Sequence, residues 1–338
     1  MSIFDKKVVL IRDEQPLLEY FIPENVSRRD GQKQELAECL RPVTVNRKPR
    51  NAFLYGPCGT GKTLMVQWML RELEGRTSRA RTAYVNCWKR NTTHAALTEI
   101  LSQLDIYVNY RQAATDLLKL LEKEAAKKQV VVCLDEVDSM ETSELLYDLS
   151  RSGIGMVMIS NDAYAMMDID PRIKSSVNAE GIEFPAYTDE EVLDIVKERA
   201  KYGIVPGAVR ENDLKMIARL ADGDARIAIE TLRRAALVAE DKEQTKITSS
   251  EVKKAFGSTG MLRKDEALKK LNEHEKVLYS LMEKQKNVST KELWEKYVKA
   301  DKKPASQRSY RNYMNHLARI GLIRARGELT GREYELVE

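Results

Sequence analysis

The chain has little of what membrane-spanning, secreted or metal-clustered proteins need. No apolar run approaches the roughly 20 residues of a membrane-spanning helix, so none is expected. Residues 1–11 carry Asp5, Lys6 and Lys7 and lack the apolar core and small-residue cleavage site of a signal peptide. A cytoplasmic location is therefore expected, with no membrane partner. Four cysteines (Cys39, Cys58, Cys87 and Cys133) are scattered without a C-x-x-C pair, and only 3 histidines are present to help them. Neither a structural zinc site nor a disulfide is expected from that spacing. Prolines are few, 9 in 338 residues, and no repeat or low-complexity tract appears. What remains, 43% hydrophobic and 32% charged, describes a helix-rich globular chain of two or three domains.

The net charge of +4 is unevenly spread. Residues 261–338 hold 18 basic and 12 acidic side chains, which leaves 38 basic against 40 acidic in the rest. A basic end on a nearly neutral body suits a module for a polyanion; a solvated helical surface has the same signature.

Along the chain, strand and helix signals alternate from residue 51. Residues 51–55, 82–87, 130–134, 155–160 and 181–184 read as strands, and 64–73, 92–104 and 111–127 as helices, Thr92 capping the second. The unbroken apolar run Val130-Val131-Val132-Cys133-Leu134 suits a central strand covered on both faces. Such alternation predicts an α/β, three-layer sandwich around a parallel sheet, over residues 1–187. Residues 188–260 read as an all-helical lid, opened by a Thr188-x-x-Glu191 capping box and followed by helices at 211–221, 225–240 and 248–256. Gly257 to Gly260 read as a linker. Residues 261–338 then carry helices at 264–283, 290–300 and 305–320 and a hairpin turning near 329–331, the outline of a winged helix-turn-helix.

Gly56-Pro57-Cys58-Gly59-Thr60-Gly61-Lys62-Thr63 matches G-x-x-x-x-G-K-[ST], with the strand before it and the helix after it that a phosphate-binding loop requires. Glycines let backbone N–H groups turn inward around phosphates, and the helix N-terminus adds a favourable dipole. Lys62 is expected to reach the β- and γ-phosphates of ATP or ADP, and the Thr63 hydroxyl to ligate Mg2+. Asp135 and Glu136 end the apolar strand. Asp135 is expected to hold the magnesium, mainly through water, and Glu136 to polarise the attacking water; two carboxylates at a strand end also serve simply to cap the next helix. Asn161 follows the next strand, where an amide orients water or makes turn chemistry. Arg226 begins a lid helix and Arg172 precedes the strand at 181. Phosphoryl transfer needs positive charge where negative charge develops, and surface ion pairs are the plainer use of both.

With these motifs in order, the chain resembles the AAA+ ATPases. More narrowly it is similar to the archaeal replication initiators related to eukaryotic origin-recognition and cell-division-control loaders. The likeness spans nearly the whole chain. It rests on Pro23-Glu24-Asn25-Val26-Ser27-Arg28-Arg29-Asp30, Leu134-Asp135-Glu136-Val137-Asp138 and Ser160-Asn161. Further along come Pro171-Arg172-Ile173-Lys174, Phe184-Pro185-Ala186-Tyr187-Thr188 and Gly223-Asp224-Ala225-Arg226. The resemblance implies Asn161 as the first sensor, Arg226 as the second, Arg172 as the arginine finger, and Val26 and Arg29 beside the adenine. It also implies a DNA-touching extra helix within residues 107–115.

In a winged helix-turn-helix the third helix enters the major groove. Core positions are expected at Tyr313, Leu317 and Ile320, leaving Ser306, Gln307, Arg308, Arg311, Asn312 and Asn315 for DNA, with Arg324, Arg326 and Arg332 on the wing and Lys302 and Lys303 ahead of the helix. A winged helix used for protein contacts is the other reading. The function expected is an ATP-dependent replication initiator that binds double-stranded origin DNA, meets other initiator molecules and recruits a replicative helicase, with slow regulatory hydrolysis. A DNA-binding transcription regulator or a remodelling AAA+ ATPase would share the nucleotide site; no surplus ligand-sensing domain or substrate-threading loop is visible for either.

Overall fold

Val130, Val131, Val132, Cys133 and Leu134 are all buried, as a strand covered on both faces must be. In the computed structural model, which describes residues 8–166, 169–269, 271–283, 285, 287–301, 304–326 and 333–336, they lie within β3 (Gln129–Asp135). The sheet is parallel throughout, in the order β2 (Ala80–Asn86), β3, β4 (Gly155–Ser160), β1 (Ala52–Tyr55), β5 (Glu180–Glu183).

Alternation along each strand splits the apolar residues between two cores. Leu54, Val131, Cys133 and Val157 face α1 (Asp30–Leu40) and α2 (Lys62–Arg76). Phe53, Val130, Val132, Leu134 and Met156 face α3 (Thr93–Gln103), α4 (Ala114–Ala125), α5 (Glu144–Arg151) and α6 (Pro171–Val177). The three-layer sandwich follows directly. β1, which carries the phosphate loop, sits between β4 and β5, while the next strand in sequence, β2, lies at the far edge. The strand order thus reverses at β1, the place where open α/β sheets bind ligands beyond the carboxyl ends of their strands.

The lid consists of α7 (Asp189–Gly203), α8 (Glu211–Leu220) and α9 (Ala225–Asp241). Its first helix begins at the expected capping box: Thr188 Oγ1 accepts from Glu191 N, and Glu191 Oε2 accepts from Thr188 N. Residues 10–21 form a strap against α7 and α9. Glu240 is buried and its Oε1 accepts from Leu10 N and Ile11 N, at 2.8 and 3.0 Å, while Arg12 N donates to Gly203 O.

The chain divides into two compact units, Met1–Ser249 and Ser250–Glu338. In the second, α11 (Glu273–Glu283), α12 (Thr290–Ala300) and α13 (Gln307–Arg319) pack with an antiparallel sheet ordered β6 (Asn287–Ser289), β8 (Glu333–Leu336), β7 (Ile323–Arg326). Three helices and a small antiparallel sheet form a winged-helix arrangement.

Four expectations need correction. Gly257 to Gly260 do not break the chain; they lie inside α10 (Ser249–Lys269). The helix expected over 264–283 is two helices, because Asn272 and Glu275 start a new one by reciprocal capping: Glu275 N donates to Asn272 Oδ1 and Asn272 N to Glu275 Oε2, both at 2.9 Å. Residues 107–113 are not helical. Asn109 Oδ1 takes Arg111 N and Gln112 N returns to Asn109 O, so α4 starts only at Ala114. On α13 the fully buried stripe is Tyr310, Met314 and Leu317, with Tyr313 and Ile320 only partly buried beside it. Tyr310 takes the inner place because its ring meets Trp294 edge-on at 5.0 Å and lies 6.0 Å from Tyr297.

Candidate nucleotide and DNA sites

The phosphate loop leaves β1 at Gly56, whose φ of +139° suits only glycine; a Cβ there would stand 2.1 Å from Phe184 O. Gly59, at φ +73°, is equally constrained, since its Cβ would lie 2.0 Å from Asp224 Oδ1. The loop is therefore pressed against the hinge before α7 on one side and against the start of α9 on the other. Ala225 N donates to Gly59 O at 3.1 Å, which joins lid to loop through the backbone.

Lys62 is buried, and its Nζ donates to Gly56 O and Pro57 O, at 2.7 Å each. Burial pushes its pKa down to about 8, against the opposing pull of Cys58. A buried cation whose hydrogen bonds go to neutral carbonyls, inside a loop of backbone amides, fits a polyanion such as a nucleotide's phosphates. Thr60 is also buried, its hydroxyl donating to Pro57 O.

Thr63 Oγ1 donates to Asp135 Oδ2 at 2.7 Å, bringing the end of β3 to the start of α2. Asp135 is buried and its Oδ1 accepts from Glu136 N. Glu136 adopts a left-handed φ of 55°, a strained setting that swings the chain out of the strand immediately after Asp135. One hydroxyl and one carboxylate are the right donors for a small hard cation that keeps several waters and completes its shell with phosphate oxygens. No cluster of three or more His, Cys, Asp or Glu able to hold a metal occurs among the described residues.

β4 lies between β1 and β3, so Asn161 emerges between the loop and the acidic strand end, half-buried. Arg226 opens α9 behind its cap: Asp224 Oδ1 accepts from Arg226 N and Ile227 N, an arrangement that contributes about 1 kcal/mol to a helix start. The guanidinium pairs with Asp224 Oδ2 and Glu19 Oε1, each at 3.5 Å. Burial opposes its charge, but Asp224, Cys58 and Glu19 more than offset that, so it stays a cation. Arg172 differs. It projects from the start of α6 with its side chain 91% exposed and is paired to Asp170 at 3.7 Å. It is not gathered with the loop.

Two groups here were not anticipated in the form the structure gives them. Arg29, only 4% exposed, donates from Nε to Thr60 O at 3.3 Å and from Nη2 to Pro185 O at 2.5 Å, with its guanidinium 3.9 Å from the centre of the Tyr187 ring. It clamps the segment after the strap to both loop and hinge. Val26 is buried in the core shared with α2. The second is Tyr84 on β2, whose hydroxyl donates to Asp135 Oδ2 at 2.7 Å. Burial and the neighbouring Asp135 push that phenol's pKa well up, so it remains a donor. The alternation of Ala83, Val85 and Cys87 into one core already puts Tyr84 on the other face, but nothing in the sequence pairs it with Asp135.

In the second unit, Ser306 Oγ caps α13 by accepting from Ser309 N. Ser306, Gln307, Arg311 and Asn315 are exposed on α13 or at its start, and Arg324 is exposed on β7. The side chains of Arg308, Asn312 and Arg326, and the whole of Arg332, Lys302, Lys303 and the 329–331 turn, lie outside the described residues. In the 107–113 loop, Tyr107 and Tyr110 are 89% and 79% exposed.

A phosphate loop, an acidic strand end on the second strand over and a helical lid whose last helix opens with an arginine beside the loop define an AAA+ ATPase. Consistently, residues 45–162 match the model of an AAA domain and residues 193–257 that of the Cdc6 AAA+ ATPase-type lid domain. The chain belongs to the family of ORC1-type DNA replication proteins. It is 32% identical to ORC1-type DNA replication protein 1 of Sulfolobus acidocaldarius, across 97% of this chain and 89% of that one. Its identity to ORC1-type DNA replication protein 1 of Archaeoglobus fulgidus is 30%, across 96% and 86%. Among solved structures it resembles the Aeropyrum pernix ORC1 protein in complex with DNA, with a TM-score of 0.75 and 27% identity over 97% of this chain and 94% of that one. No described helix is long and apolar enough to cross a membrane.

Proposed function

We propose that the protein binds double-stranded origin DNA through its second unit and uses ATP binding, with slow hydrolysis, as the switch that allows helicase recruitment. In this reading residues 1–187 and 188–260 act as nucleotide-binding body and lid, and residues 261–338 as the DNA-binding part, in the cytoplasm on the nucleoid. The observation that carries it is the backbone bond from Ala225 N to Gly59 O, with Arg226 one residue further on. A nucleotide entering the loop must meet the first turn of α9, so phosphate occupancy bears on the lid angle.

Lys62 exchanges its two carbonyls for β- and γ-phosphate oxygens, while the amides of residues 59–63 turn toward the phosphates. Thr63 and Asp135 would hold magnesium, which screens phosphate charge when bound. Glu136, thrown clear of β3 by its left-handed backbone, takes the proton of the attacking water as general base. Asn161 orients that water, Arg226 stabilises the γ-phosphate from the lid, and Val26 and Arg29 border the adenine. Arg172, exposed at the start of α6, suits a finger for the nucleotide of another initiator molecule. On DNA, the exposed face of α13 with Arg308 and Asn312, and Arg324, Arg326 and Arg332 of the wing, make the contacts, joined by the 107–113 loop. The relative from Aeropyrum pernix solved with DNA supports the polyanion reading of the basic end.

Footprinting of the source genome with ATP present tests this. Protection clustered at replication origins is expected; protection scattered over promoters would favour a transcription regulator and sink the proposal.

A further inference from the structure

The carboxylate of Asp135 is held by three hydrogen bonds. Oδ2 takes two donors at 2.7 Å, the Thr63 hydroxyl and the Tyr84 phenol, and Oδ1 takes the Glu136 amide at 2.9 Å. A carboxylate offers about four lone-pair sites. Oδ2 is therefore filled, and Oδ1 keeps one place open.

We infer that Tyr84 is a positioning residue for metal binding: by occupying the second lone pair of Asp135 Oδ2, it leaves Oδ1 as the oxygen that meets a metal-bound water. The inference rests on reading Thr63 and Asp135 as the holders of the metal. The backbone makes the placement firm. β2 and β3 are paired through seven residues, with Tyr84 opposite Cys133 and Asn86 opposite Asp135. Tyr84 packs partly buried against the core shared with α2, and Asn86 lies two residues further along the same strand face. Without the phenol, Oδ2 has a vacant lone pair and the terminal torsion of Asp135, which has a broad, nearly two-fold profile, has less to hold it. The carboxylate would then present either oxygen, and the water would meet a mixture of orientations. The Tyr84 hydroxyl donates to Asp135, and its effect passes through that carboxylate.

The test is Tyr84→Phe in the full chain, which removes one oxygen and keeps the ring. Mn2+ binding in the presence of ADP is titrated by electron paramagnetic resonance, and ADP binding is measured separately in EDTA. The expected result is Mn2+ affinity lower by about 5- to 10-fold, the size of one ordinary lost hydrogen bond, with EDTA affinity for ADP within twofold of wild type. Mn2+ affinity within twofold of wild type would overturn the inference. So would a parallel loss of ADP affinity in EDTA, which would make Tyr84 a support for the loop. If wild-type protein with ADP binds no Mn2+, the reading of Thr63 and Asp135 fails first, and the inference with it.

Discussion

Around the phosphate loop, Lys62, Asp135 and Arg29 are buried and tied to backbone carbonyls or neighbouring side chains, whereas on α13 Gln307, Arg311 and Asn315 stand in solvent. Both regions are proposed to meet phosphates, so the chemistry alone does not explain the contrast. The difference lies in when the cost of order is met. A buried site settles its geometry during folding and can stabilise a charge distribution without rearranging. An exposed helix face settles its geometry only on contact, through long side chains that lose freedom at that moment. Substitutions in the first region should therefore act steeply on chemistry or stability, and those in the second should act gradually, through salt-dependent binding.

The largest effect is expected from Glu136→Gln. It keeps size and backbone but removes the base, so hydrolysis should fall by roughly 10²- to 10⁴-fold, with nucleotide affinity within twofold. Single-turnover measurements check this; near-normal hydrolysis would return Glu136 to a strand-end cap. Lys62→Ala comes next. It should weaken nucleotide binding about 100-fold, or about 3 kcal/mol, in a fluorescent-nucleotide titration, and leave the second unit's thermal transition where it was.

Arg29→Ala should show that the preorganising clamp also contributes to stability. It strips donors from Thr60 O and Pro185 O and removes the cation above Tyr187, for a loss of about 2 kcal/mol. For a unit of this size that lowers Tm by roughly 4–8 °C. A melt showing no shift would mean that the clamp is incidental.

The local parts of this architecture were legible before any coordinates. A glycine-rich turn between a strand and a helix, an apolar run ending in Asp135-Glu136, and a Thr-x-x-Glu box each carry their meaning within a few residues. Where geometry came from distant residues, the pattern was silent or misleading. α1 offers only Leu36, Cys39 and Leu40 to the core, too short a stripe to announce a helix. Gly257 and Gly260 cost α10 about 1 kcal/mol each relative to alanine, yet the helix runs through them. Tyr84 meets Asp135 because β2 and β3 are neighbours in the sheet, and Arg29 reaches Pro185 across 156 positions. On α13 two adjacent stripes share Leu317, and only the rings of Trp294 and Tyr297 decide that Tyr310 and Met314 face inward.

That choice of inner stripe sharpens the smallest expected effect. With Tyr310, Met314 and Leu317 inside, Arg311 and Asn315 fall one position beyond Tyr310 and Met314 on the exposed side. Position 308, with 311 and 315, continues the same side at helical spacing. Arg308→Ala combined with Arg311→Ala should then remove two phosphate contacts. The slope of log affinity for duplex DNA against log salt should fall by roughly 1.8, at about 0.9 per phosphate. Between two salt concentrations differing twofold, that changes the affinity ratio by only about 3- to 4-fold, which is why slopes rather than single affinities must be compared. Nucleotide affinity and hydrolysis without DNA should not move, because neither arginine belongs to the compact unit that holds the phosphate loop. An unchanged slope would remove this face of α13 as the reader and would leave the polyanion reading of the basic end to the wing alone.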